Sequence, residues 1–158
     1  MKRLFFTLFF ASILFSCNSD FFKPATAKIL GVWTYQKVRV FKPFSFFGED
    51  ETAQYLEYRF HFFSDGSMTY YNEQVDISFK GFWQYRNEWV YNMDRDTDER
   101  VHFLDIHLMD DNKELEDIVF TLENTRVSNQ RITGTMYVEN KRISVSLARK
   151  VLNLYKNY

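Results

Sequence analysis

Along residues 55–62, "YLEYRFHF", apolar and polar positions alternate: Leu56, Tyr58, Phe60 and Phe62 fall on one face, Glu57, Arg59 and His61 on the other. A period of two is that of a strand with one buried face. The same period recurs in Ile77, Phe79, Trp83 and Tyr85, in Leu104, Ile106 and Leu108, in Ile118, Phe120 and Leu122, and in Ile143, Val145 and Leu147. Short turn signals separate the runs: "SDGS" at 64–67, "NE" at 87–88, "DDNK" at 110–113 and "ENK" at 139–141. Connections this short join neighbouring antiparallel strands. About nine such runs, with no helical period of 3.6 between them, predict an all-β antiparallel up-and-down meander whose edges must be closed or covered. "TAKIL", at 26–30, predicts a single helical turn before the first strand.

The N-terminus has a different pattern. Lys2 and Arg3 precede the twelve mostly apolar residues "LFFTLFFASILF", the length of a signal-peptide core. A membrane span would need about 20. The chain's single cysteine, Cys17, closes this run, which excludes an intramolecular disulfide and makes a structural zinc site unusual. Leu14, Ser16 and Cys17 resemble the lipobox of bacterial lipoproteins, in which an aliphatic residue stands three positions before, and a small residue just before, the cysteine that is acylated; Phe15 departs from it. The resemblance implies cleavage after Ser16 and lipidation of Cys17, the alternative being a plain signal peptide with a leftover cysteine. Two or three acyl chains anchor firmly, whereas one binds only marginally. Asn18, where an aspartate would retain such a protein, implies the outer membrane of a Gram-negative cell envelope. The resulting division is a signal peptide over 1–16, a lipidated cysteine and tether over 17–27, a β-barrel domain over 28–150 and a tail over 151–158.

Loss of residues 1–16 leaves 18 Lys and Arg against 21 Asp and Glu. That mildly acidic balance offers nothing to a phosphate backbone, so nucleic acid is not an expected partner. The remaining 142 residues suffice for one domain. Of these, 26 carry aromatic rings, and rings favour strands.

"KILGVWTY" places Gly31, Val32 and Trp33 at the start of the first strand. This G-x-W resembles the lipocalin signature, whose tryptophan closes one end of an eight-stranded up-and-down barrel. "FHFFSDGS" (60–67), "GFWQY" (81–85) and the final "ISVSLARK" (143–150) are similar to segments of bacterial lipocalin-like lipoproteins. The resemblance spans roughly residues 28–150 and implies a lipocalin-like barrel of about eight strands. It also implies that Arg149, near the end of the last strand, stacks on Trp33 and closes the barrel. No room follows Arg149 for the long helix of secreted animal lipocalins, and their disulfide and T-D-Y segment are missing.

An eight-stranded barrel is either filled by its own side chains or holds one small ligand. The candidate inward set is Tyr58, Phe60, Phe62, Phe79, Trp83, Tyr85 and Phe120, with Gly81 and Gly134 as possible gaps. A narrow ring-lined cavity would suit a flat or acyl ligand oriented by tyrosine hydroxyls. The candidate ligand-binding residues are Phe46, Phe47, Tyr58, Phe60, Phe62, Trp83 and Tyr85. "FKPFSFFGEDE" (41–51) carries Phe41, Phe44, Phe46 and Phe47 without alternation, in the long first connection that lies over a lipocalin's mouth. The expectation is that these rings plug the barrel as extra core; a lid on a ligand or a wedge into the membrane are the other readings.

Catalysis finds little in this chain, with no G-x-S-x-G or similar nucleophile setting, and no enzyme activity or cofactor is expected. His102 and His107, five apart on one strand, point to opposite faces and cannot jointly hold a metal; His61 is likewise read as structural. In "MDRDTDER", Asp94, Asp96 and Asp98 share the spacing of half a calcium loop, but Glu99 stands where that loop needs glycine, and a solvated loop is expected. Two function classes remain. One is a membrane-anchored carrier or sensor of a small hydrophobic ligand. The other is a packed barrel docking on an envelope protein through Tyr55, Tyr71 and Phe82.

Overall fold

A computed structural model describes residues 23–109 and 118–150. Cys17, the segment expected to be a signal peptide, the turn expected at "DDNK" and residues 151–158 lie outside the described residues. A helical turn, α1 (Ala25–Ile29), leads into β1 (Gly31–Phe41). Next come β2 (Glu49–Asp50), a 3-10 turn (Thr52–Tyr55), β3 (Tyr58–Phe62), β4 (Ser67–Asn72) and β5 (Ile77–Asn92). The chain continues through β6 (Thr97–Met109), β7 (Ile118–Val127), β8 (Arg131–Val138) and β9 (Lys141–Arg149). Each strand from β3 to β9 pairs antiparallel with the next, β1 pairs with β3, and β1 also pairs with β9. The sheet therefore closes into an eight-stranded up-and-down barrel, with β2 an extra strand on the far half of β1. Closure removes the sheet edges that an open meander would leave exposed.

Alternation sets which face is core, and one bulge resets it. In β1, Trp33 and Tyr35 point inward, the register with β9 shifts between Tyr35 and Lys37, and Val38 and Val40 then take over the inner face. One extra residue at Gln36 flips the parity, which is why "WTYQKVRV" shows two out-of-phase apolar pairs. Leu104, Ile106 and Leu108 from β6 and Ile143, Val145 and Leu147 from β9 complete the buried wall with Ile132.

The structure differs from the pattern reading in identifiable places. Leu56 is exposed, because β3 begins only at Tyr58 and Leu56 belongs to the turn after the 3-10 segment. Asn87 and Glu88 form no turn; they lie within β5, paired with His102 and Val101. The β5–β6 ladder runs on to Asn92↔Thr97, well past the last β4–β5 pair, Ser67↔Phe82. This outlying ribbon is an arm that has left the core, so both its faces tolerate polar residues.

By connectivity, the chain's entry through α1 and the β3–β4, β5–β6 and β7–β8 turns share one end of the barrel. The β1–β3 connection and the β4–β5 and β8–β9 turns share the other. The entry end is closed. Trp33 is fully buried and its Nε1 donates to the Ile29 carbonyl at 2.6 Å, so α1 lies across this floor.

Candidate functional site

Trp33 and Arg149 are register partners on β1 and β9, and the Arg149 guanidinium carbon sits 4.7 Å from the Trp33 ring centroid. Its Nε donates to the Asn129 carbonyl at 2.7 Å, and its Nη2 donates to the Lys28 carbonyl. One side chain thus ties the β7–β8 turn and α1 to the floor tryptophan. Gly31 adopts φ +112°, and a Cβ there would stand 3.1 Å from Arg149 Nη1. The glycine of the G-x-W therefore serves both the backbone and the arginine.

Above the floor the interior is built from rings. Phe60, fully buried, lies 5.3 Å from Tyr35, 5.8 Å from Phe62, 4.7 Å from Tyr70 and 6.3 Å from Phe120 between centroids. Phe62 meets Trp83 edge-on at 5.6 Å, and the Trp83 Nε1 donates to the Phe63 carbonyl at 3.1 Å. Around Phe60 and Phe62 the barrel is filled. Towards the other end it is less so: Tyr58, Tyr70, Phe79 and Phe120 pack against the core yet remain only half-buried, whereas Trp83 and Tyr85, also half-buried, lie at the floor end beside the β3–β4 turn and the root of the β5–β6 arm. A ring that points into a barrel and keeps accessible surface faces space that solvent can reach.

Four tyrosines gather in this region. Tyr35 lies 5.1 Å from Tyr55, Tyr58 stacks on Tyr70 at 5.2 Å, and the Tyr35 and Tyr70 hydroxyls are near enough to interact. Burial, reinforced by the neighbouring phenols, holds the Tyr35 hydroxyl well above the ordinary phenol range; burial does the same for Tyr70. Both are neutral at any physiological pH. Tyr35 and Tyr70 as part of this cluster escaped the sequence reading. The Gln36 bulge hides the phase of Tyr35, and Tyr70 and Tyr71 are adjacent, so alternation alone does not say which points inward.

The glycines expected to leave gaps do not. A Cβ on Gly81 would run into the His107 carbonyl oxygen, and one on Gly134 would meet Leu122 Cβ at 3.0 Å and the Glu123 carbonyl at 3.2 Å. Neighbouring strands occupy that space. The phenylalanine plug is also absent: Phe44, Phe46 and Phe47 stand in solvent at 104 %, 94 % and 87 % exposure. Their loop folds to the outside, where Arg142 covers Phe41 at 4.3 Å and Phe46 shares a shallow depression with Tyr137 and Arg142. Phe46 and Phe47 are thus not brought together with Tyr58, Phe60, Phe62, Trp83 and Tyr85. Pro43 and the positive φ of Phe44 (64°) turn the chain away from the mouth.

His102 stacks with Tyr85 on the inner face and its Nδ1 is buried without a hydrogen-bond partner, whereas His107 stacks on Phe82 outside. Asp94, Asp96 and Asp98 lie in and beside the β5–β6 turn, where Tyr91 donates to Asp96. Among the described residues no His, Cys, Asp and Glu side chains form a metal-holding group of three. On the outer wall Asp105 is buried, accepting from Arg86 Nε at 2.6 Å and Thr121 Oγ1 at 2.7 Å. The arm presents Trp89, Tyr91 and Met93 at 72 %, 56 % and 86 % exposure. Comparison of the chain with protein-family models, with curated proteins and with solved structures gives no match.

Proposed function

We propose that this chain is a lipid-anchored, non-catalytic, lipocalin-like barrel of the Gram-negative cell envelope, facing from the outer membrane, that binds a small hydrophobic molecule inside the barrel. The observation that carries the reading is the set of inward rings, Tyr58, Tyr70, Phe79 and Phe120, that are only half-buried above a closed floor. An apolar, concave, ring-lined surface with a few hydroxyls is what a small-molecule site requires. The Trp33–Arg149 floor and the lipobox around Cys17 support the lipocalin-like and lipoprotein parts. Native mass spectrometry of the chain from residue 18 onward, purified from its own host's envelope, is expected to show one small molecule per chain. A bare mass for the folded protein refutes carriage. Labelled palmitate is expected on the wild type and not on Cys17→Ala; label on the variant refutes the anchor.

A second reading, the interaction module, is favoured by one observation. Trp89, Tyr91 and Met93 are displayed on a ribbon that projects from the barrel. The residues expected to dock do so less well: Tyr55 packs on Tyr35, Tyr71 is half-buried, and Phe82 stacks on His107. Loss of envelope crosslinks on Trp89→Ser and Tyr91→Ser, with ligand retained, would assign docking to the arm.

A further inference from the structure

The lining of the barrel also sets the chemistry of its ligand, an inference that rests on the ligand-binding reading above. Between the Trp33–Arg149 floor and the strand ends at the rim, no inner-face position among the described residues is Asp, Glu, Lys or Arg. Among the described residues two charged side chains are largely buried, and both stand at outward positions: Asp105, matched by Arg86, and Arg59 on β3 between the inward Tyr58 and Phe60, matched by Glu73. Lys141 stands exposed at the start of β9, at the rim. Arg100 lies out on the arm, hydrogen-bonded to Asn87 and paired with Trp89. Trp89 is ten residues along β5 from Phe79, on the order of 30 Å at about 3.3 Å per residue. A carboxylate seated among these rings would meet no counter-charge, and an unpaired buried charge is strongly unfavourable.

Apart from the His102 imidazole, which stacks on Tyr85 nearer the arm, the polar groups on this part of the inner face are hydroxyls. Tyr35 and Tyr70 bring two phenol hydrogens, and a bond between the two oxygens would use only one of them. Tyr55 and Tyr58 add two more donors beside it. Phe79, paired with Tyr70, and Phe120, against Phe60, present flat faces on the same inner wall.

We infer that the interior around Tyr35, Tyr55, Tyr58, Tyr70, Phe79 and Phe120 selects an uncharged, ring-bearing molecule carrying a hydrogen-bond acceptor, such as an aromatic ketone, and rejects fatty acids and other anions. The rings hold the ligand by offset stacking and the free phenol hydrogen orients its acceptor.

The chain from residue 18 onward, which holds every element of the barrel, is titrated at pH 8, where imidazoles are neutral. The probes are N-phenyl-1-naphthylamine and its sulfonate, 1-anilinonaphthalene-8-sulfonate, which differ by one negative charge. The neutral probe is expected to bind one per chain, and the sulfonate at least about tenfold more weakly. Equal or tighter binding of the sulfonate overturns the charge selection while leaving ligand binding intact. Binding of neither overturns the ligand-binding reading as well. Tyr70→Phe keeps the ring and removes the hydroxyl. It is expected to weaken a neutral naphthyl ketone, 6-propionyl-2-dimethylaminonaphthalene, by about three- to tenfold, and to leave N-phenyl-1-naphthylamine unchanged. An unaltered ketone affinity overturns the acceptor requirement.

Discussion

Arg149 carries more of the floor than any other single side chain. Its planar cation covers Trp33 while its N–H groups reach carbonyls of α1 and of the β7–β8 turn. The stacking contributes about 0.5–2 kcal/mol, and each hydrogen bond about 1 kcal/mol. Arg149→Ala is expected to lower the thermal midpoint by on the order of 10 °C and to shift Trp33 emission; unchanged values for both would refute the pairing. Asp105 gives a pH prediction. Burial alone would raise its carboxyl, but the hydrogen bonds from Arg86 and Thr121 and the Arg86 charge outweigh burial and hold it below the ordinary range. A depressed folded pKa contributes stability above the unfolded value of about 3.9, lost as pH falls through the folded value. Asp105→Asn is expected to be less stable than wild type in urea at pH 7 and to show a flatter loss between pH 4 and pH 2. Equal slopes would show that Asp105 adds nothing. Gly31 and Trp33 were legible because a motif marks them, and Arg149 because its place in the last strand does. Asp105 was not, since an acid on the outer wall looks in sequence like any solvated one until Arg86 and Thr121 are seen to close over it.

Elements with a sustained period of two were legible: β6 and β9 bury the side chains that alternation assigns to the core, and β3 buries Phe60 and Phe62. The β4–β5 turn escaped, and the β5–β6 turn was read only as a solvated loop, because their signal is not a glycine. Each opens on an asparagine whose side-chain oxygen accepts a backbone N–H two residues on, from Gln74 to Asn72 and from Asp94 to Asn92. Each ends on an aspartate at φ 51°, Asp76 and Asp96, a conformation that Asp tolerates better than most residues. Asn-x-x-x-Asp is the spacing that would have found both. The "NE" pair misled because a strand beyond the core no longer needs an apolar face. The Phe-rich connection misled in the opposite way, by composition, since its rings do not pack. Phe46→Ser with Phe47→Ser is therefore expected to change unfolding free energy by less than about 0.5 kcal/mol. A loss of several kcal/mol, as for a core aromatic, would restore the plug.

At the scale of the molecule, an up-and-down meander with one reset of parity in β1 closes through the β1–β9 ladder, and closure makes an inside. Sequence alternation was enough to predict the antiparallel meander and most of the inward rings, and the G-x-W resemblance implied its closure. It could not say which rings are packed and which are open, because that depends on how far each strand runs past its neighbours. Nor could it foresee the gathering of Tyr35, Tyr55, Tyr58 and Tyr70 from four separate elements. The central claim is that the binding surface is this interior and not the arm or the Phe-rich loop. Selective labelling of aromatic side chains, with an NMR titration against a small-molecule extract of the host envelope, tests it most directly. Shifts at Tyr58, Tyr70, Phe79 and Phe120, with Phe46, Phe47, Trp89 and Tyr91 unmoved, are the result predicted. Shifts confined to the loop or the arm, or none at all, would contradict it.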